Sequence, residues 1–134
     1  MGGSNGSALK TTEFVYASGK TTFGPTLDFT IKDHCMVKLS DNKIFIIGGE
    51  QNGDVSNQVW IVDPTKNFEM HRGQPLRKGR RFFSCATFDD AGKTKIIVAG
   101  GGSPSENSGD SVKILNPSLP NSEWTDGNKF FLKY

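Results

Sequence analysis

Cys35, Val37 and Leu39 alternate with His34, Met36 and Lys38, the period of two expected of a half-buried strand. Two other runs, Ile44–Ile47 and Ile96–Ala99, are apolar at every position, as an interior strand covered on both faces would be. Ser40-Asp41-Asn42 and Asp89-Asp90-Ala91-Gly92 supply turn chemistry that predicts hairpins on either side of them. Val59 with Ile61, and Val112 with Ile114, predict a third strand in each half of the chain. Phe68 and Trp124 mark a fourth. No stretch of ten or more residues carries helical periodicity, so the pattern predicts an all-β fold of short antiparallel strands.

The pattern also repeats. Both continuous apolar runs end in a glycine doublet, Gly48-Gly49 and Gly100-Gly101, and Gly48 to Gly100 is a step of 52 residues. Cys35 and Cys85 lie 50 apart, on what reads as equivalent places of successive first strands. Val59-Trp60-Ile61-Val62-Asp63-Pro64 returns 53 residues later as Val112-Lys113-Ile114-Leu115-Asn116-Pro117. Part of a third copy precedes these, with Phe14-Val15-Tyr16 aligning with Ile61-Val62-Asp63 and Gly24-Pro25-Thr26-Leu27 with Gly73-Gln74-Pro75-Leu76. Each repeat therefore holds four short strands, the content of one propeller blade.

A period near 50, a glycine doublet closing the second strand, and a fourth-strand aromatic followed by an arginine link together resemble the Kelch repeat. The resemblance covers about residues 12–127, and Gly79-Arg80-Arg81-Phe82-Phe83-Ser84-Cys85 looks like the link from one blade into the next. It implies four-stranded antiparallel blades of a Kelch-type β-propeller, about two and a half of them. Residues 1–11 read as a flexible leader, 12–28 as the end of a preceding blade, 29–71 and 82–127 as blades, and 128–134 as a tail or the start of a further blade. So few blades cannot close a ring, since propellers use roughly four to eight. The expectation is a piece of a longer chain, completed by further blades in cis or by self-association. The structural motif positions are Gly48, Gly49, Gly100, Gly101, Arg80, Phe68 and Trp124, with one of Arg80 or Arg81 expected to pair within its blade.

Composition narrows the function classes. Lys and Arg number 16 against 14 Asp and Glu, a net charge of +2, so the field of the whole molecule is weak and argues against a nucleic-acid or membrane-surface protein. No apolar run approaches the roughly 18 residues that would span a bilayer. Residues 1–10 lack the apolar segment of a signal peptide. Two cysteines are too few for a disulfide scaffold. They read as small core side chains in a reduced setting, with a lean towards the cytoplasm. Paired with His34 and His71 they lack the short-range spacing of a structural metal site, so no metal and no cofactor is expected. The doublets are not followed by the helix and Lys-Ser/Thr of a phosphate loop. No nucleophile motif is present, and the chain is expected not to be an enzyme. The rival reading is a piece of a propeller enzyme similar to galactose oxidase, with its site on other blades.

One charge cluster remains. Between Arg72 and Arg81 the chain carries Arg72, Arg77, Lys78, Arg80 and Arg81 with no acid among them. Arg72, Arg77, Lys78 and Arg81 are the candidate partner-binding residues, suited to an acidic or phosphorylated protein segment. Loops 50–58 and 102–110 are expected to share that face. The resemblance thus implies a non-catalytic protein-binding module.

Overall fold

The computed structural model describes residues 2–103 and 111–127. Its described strands are β1 (Glu13–Val15), β2 (Thr21–Phe23), β3 (Ile31–Lys32), β4 (Cys35–Lys38), β5 (Ile44–Ile47), β6 (Glu50–Gln51), β7 (Asp54–Val55), β8 (Val59–Asp63), β9 (Glu69–Arg72), β10 (Ser84–Asp90), β11 (Lys93–Ala99), β12 (Val112–Leu115) and β13 (Thr125–Asp126). A 3₁₀ turn at Pro64–Lys66 is capped by Asp63, whose carboxylate accepts from the Thr65 N–H and hydroxyl. Among the described residues the chain is all-β, and every strand pairing is antiparallel.

Two four-stranded sheets share one plan, β4-β5-β8-β9 and β10-β11-β12-β13, each ordered as the chain runs. Phe68 and Trp124 stand immediately before β9 and β13, as the sequence predicts. The β1–β2 hairpin has the geometry of the last two strands of such a sheet. The Gly24 N–H donates to Thr12 O, as Gly73 does to Val59 O and Gly127 to Val112 O. Linking segments match too, with Leu27 donating to Lys10 O and Leu76 to Asn57 O.

The strands in the middle of the two sheets differ in cover. On β5, Ile46 faces a cluster with Leu27, Phe29, Ile31 and Val62, while Phe45 and Ile47 face the second sheet. On β11, Ile96 and Val98 join Phe45, Ile47, Val59, Leu76, Leu115 and Trp124 in the seam between sheets. Ile97 and Ala99, pointing the other way, are only half-buried. The core is therefore a stack of layers, hairpin on first sheet on second.

The segment expected to be a flexible leader is hydrogen-bonded in place instead. Gly2 donates to Thr11 O at 2.8 Å, as Gly48 does to Gln58 O at 2.9 Å. Gly3 donates to Ile31 O and Gly49 to Arg80 O, both at 2.8 Å. Leu9 donates to Gly3 O as Ser56 donates to Gly49 O. Gly2-Gly3 is thus a third glycine doublet, and all six doublet glycines have positive φ, from 58° to 111°. An added Cβ on Gly48 would lie 2.7 Å from Arg80 O, and one on Gly49 2.6 Å from Lys32 O. The doublet is glycine because the chain turns left-handed where the next link passes against it.

The cysteines also depart from expectation. Cys35 and Cys85 form a disulfide with Cα atoms 5.9 Å apart. They do not occupy equivalent places: Cys35 pairs with Ile47, the residue before Gly48, whereas the residue paired just before Gly100 is Ser84. Cys85 sits one position further on, opposite Val98. A one-residue offset turns a strand side chain to the other face. Cys35 accordingly faces forward with Ile47, Cys85 backward with Val98, and the sulfurs meet in the seam.

Candidate functional site

The link between the two sheets, residues 73–83, runs alongside loop 48–58 and is bonded to it repeatedly. Asn57 Nδ2 donates to Leu76 O at 2.9 Å, the Leu76 N–H returns a bond to Asn57 O, and the Arg80 N–H donates to Ser56 O. Link and loop therefore present one continuous surface, with Arg77 and Lys78 exposed on it. The rest of the second expected loop, residues 104–110, lies outside the described residues, as do 128–134.

The basic residues divide by environment. Arg80 is 2% exposed, and no carboxylate meets it among the described residues. Its Nη1 donates to Gly100 O and Ser111 O, both at 3.2 Å, and its Nη2 to Ser111 Oγ at 2.7 Å. Its Nε is buried without a partner. Burial lowers the guanidinium pKa from its ordinary value. Carbonyl dipoles here stand in for a counter-ion, and they tie the link to both ends of loop 100–111 of the sheet it enters. Arg80 is a structural clamp.

Arg81, one residue on, points to the loop. Its Nη1 reaches Glu50 Oε2 at 2.6 Å, while Lys32 Nζ from the preceding link reaches Glu50 Oε1 at 3.0 Å. Lys32, then Arg81, hold the Glu50 carboxyl below its usual pKa. The acid that the sequence lacked within 72–81 is supplied by β6. Lys32 and Arg81 are equivalent, each following a buried residue (Ile31 or Arg80) and preceding a left-handed one, Asp33 at φ 55° or Phe82 at φ 57°. Glu50 thus joins two successive links.

Arg72 leans 5.0 Å above the Trp60 ring and donates to Gln58 Oε1 at 2.8 Å. Trp60 stacks in turn on Phe29, with ring centroids 5.0 Å apart. Of the four candidates, then, Arg81 is ion-paired and Arg72 is stacked and hydrogen-bonded. Arg77 and Lys78 are exposed at the surface, Lys78 with an interaction of its own, and Arg77 adds to the main effect of Lys113 in lowering the Asp126 pKa. A groove of about 320 Å³ opens along the seam below, lined by Phe45, Ile61, Arg72, Leu115 and Leu119 among others.

Among the described residues no three His, Cys, Asp or Glu side chains gather as a metal would need. Bridging also removes both cysteine sulfurs from any ligand set. No described helix is long and apolar enough to cross a membrane. No family model and no curated protein matches this chain.

Proposed function

We propose that this chain is a sector of a Kelch-type β-propeller that binds a protein partner without catalysis, through loop 48–58 and the link that follows the first sheet. The repeated four-stranded plan, the glycine doublets and the fourth-strand aromatics support the propeller reading. The observation that carries the binding reading is the hydrogen-bonded joining of link and loop, which sets Arg77 and Lys78 on a rigid frame. A mobile basic loop would lose entropy on binding; a frame held by backbone bonds loses less. The partner is an acidic or phosphorylated segment, since two cations side by side recognise clustered anionic oxygens.

The test is binding of a phosphorylated acidic peptide to the wild-type chain and to the Arg77→Ser/Lys78→Ser variant, at two salt concentrations. Each exposed contact is worth roughly 0.2–1 kcal/mol, so the double variant weakens binding about two- to thirty-fold and flattens its salt dependence. Equal affinity and equal salt slope in both proteins would remove the link as the binding surface.

A further inference from the structure

We infer that the Cys35–Cys85 bridge is an oxidative modification that turns a non-covalent seam between two sheets into a covalent one, so that this chain is built to mature in an oxidising compartment. The bridge joins the first strand of one sheet to the first strand of the next, and nothing else covalent crosses the seam except the link itself. Three features mark the pair as placed for bridging. The one-residue offset turns Cys35 forward and Cys85 backward, whereas cysteines at equivalent positions would both point the same way. Their Cα separation of 5.9 Å falls at the most common value for disulfides. Neither residue is fully buried, so both stay within reach of an external oxidant while the sheets are in contact.

The chemistry balances by thiol–disulfide exchange. One cysteine, as thiolate, attacks the disulfide of an oxidised dithiol oxidoreductase or of oxidised glutathione and releases one thiol. The second cysteine attacks the mixed disulfide, forms the Cys35–Cys85 bond and releases the second thiol. Two electrons and two protons pass from the pair to the reagent. Such bonds persist where the surroundings are oxidising and are rare in a reducing cytosol.

The bridge closes a loop of 50 residues. By the chain-entropy relation, that restricts the unfolded chain enough to raise Tm by about 15 °C for a protein of this size. The experiment compares thermal melts of the oxidised chain, of the same chain held in dithiothreitol, and of the Cys35→Ser/Cys85→Ser variant. Alkylation with mass measurement counts the thiols in protein recovered from a secretory lumen and from a reducing cytosol. Expected are no free thiol from the lumen, two from the cytosol, and a Tm lower by about 15 °C in both bridge-free forms. Two free thiols in the lumenal protein, or equal Tm with and without the bridge, would overturn the inference. If the double variant does not fold, the reduced wild-type melt decides alone.

Discussion

At the scale of single residues, neighbours decide what the same residue type does. Gly48 and Gly100 both take a left-handed backbone, but the surroundings differ: a Cβ on Gly48 meets Arg80 O at 2.7 Å and the Phe83 ring at 3.1 Å, whereas one on Gly100 meets nothing within 4 Å among the described residues. Gly48→Ala should cost about 3 kcal/mol, from strain and collision together. Gly100→Ala should cost about 1–2 kcal/mol, from the backbone alone. Denaturant melts giving the two variants equal stability would remove the close approach of the link as the reason for the first doublet. Glu50 is a second case. Its pKa is lowered by Lys32 and then by Arg81, so its contribution is present above the unfolded carboxyl value of about 4.3 and lost as pH falls through the folded value. The Glu50→Gln variant should be less stable than wild type at pH 7 and should match it near pH 2. A gap between their Tm values that stays constant with pH would contradict the ion pairing.

At the scale of elements, the fourth strand of each four-stranded sheet is introduced by an aromatic residue that packs against the preceding layer. Trp124 is buried in the seam, and its Nε1 donates to Gln74 O at 2.9 Å. Phe68 does the same job one layer earlier without a donor, its ring centroid 4.5 Å from that of Phe14. Trp124→Phe should therefore keep most of the packing and lose about 1 kcal/mol, with the Gln74 carbonyl left short of a donor. Trp124→Ala should lose about 3–5 kcal/mol. Urea unfolding separates the two, and a phenylalanine variant as unstable as the alanine variant would make the indole bond the dominant interaction. The hairpins differ in reach. β4–β5 turns early, with Leu39 donating to Lys43 O, while β10–β11 runs on to a tight turn at Ala91-Gly92, both left-handed. Three extra residues in the second hairpin shift the spacing from 49 at the first-strand starts, Cys35 to Ser84, to 52 at the doublets.

At the scale of the whole molecule, the layers are covered unequally. The first sheet has neighbours on both faces. The β1–β2 hairpin turns Val15 (75% exposed) and Phe23 (83% exposed) away from it, on the face shared with Glu13 and Thr21. At the other end Ile97 and Ala99 are half-covered. Exposed apolar faces and unpaired strand edges favour association. The isolated chain should self-associate with rising concentration, and Val15→Thr/Phe23→Thr should reduce that. Light scattering that finds a wild-type monomer at every concentration would count against it.

Much of this fold was written along the chain. Strand periodicity, the turn residues and the two downstream glycine doublets are local signals, and strand pairing follows them closely. Gly2-Gly3 carries no such local signal, because no apolar run precedes it and a structural doublet there looks like loose Gly/Ser/Asn composition. Repeat spacing near 50 also concealed the cysteine offset. Counting residues aligns Cys35 with Cys85, but the link and first strand keep a step of 49, and the face a side chain takes is set by pairing register. The basic stretch was legible as charge but not as environment: whether an arginine is clamped, paired or exposed depends on residues 31 positions away, Glu50 for Arg81 and Ser111 for Arg80. The sequence by itself determined the strands of the two four-stranded sheets, their order and their repetition, because those rest on local dihedral preference and hydrophobic period; β3, β6 and β7 carry no such period, and the last two fall inside the expected loop 50–58. Only the tertiary structure decided which cations stay exposed and that the two sulfurs meet, because both depend on which faces the layers turn toward each other.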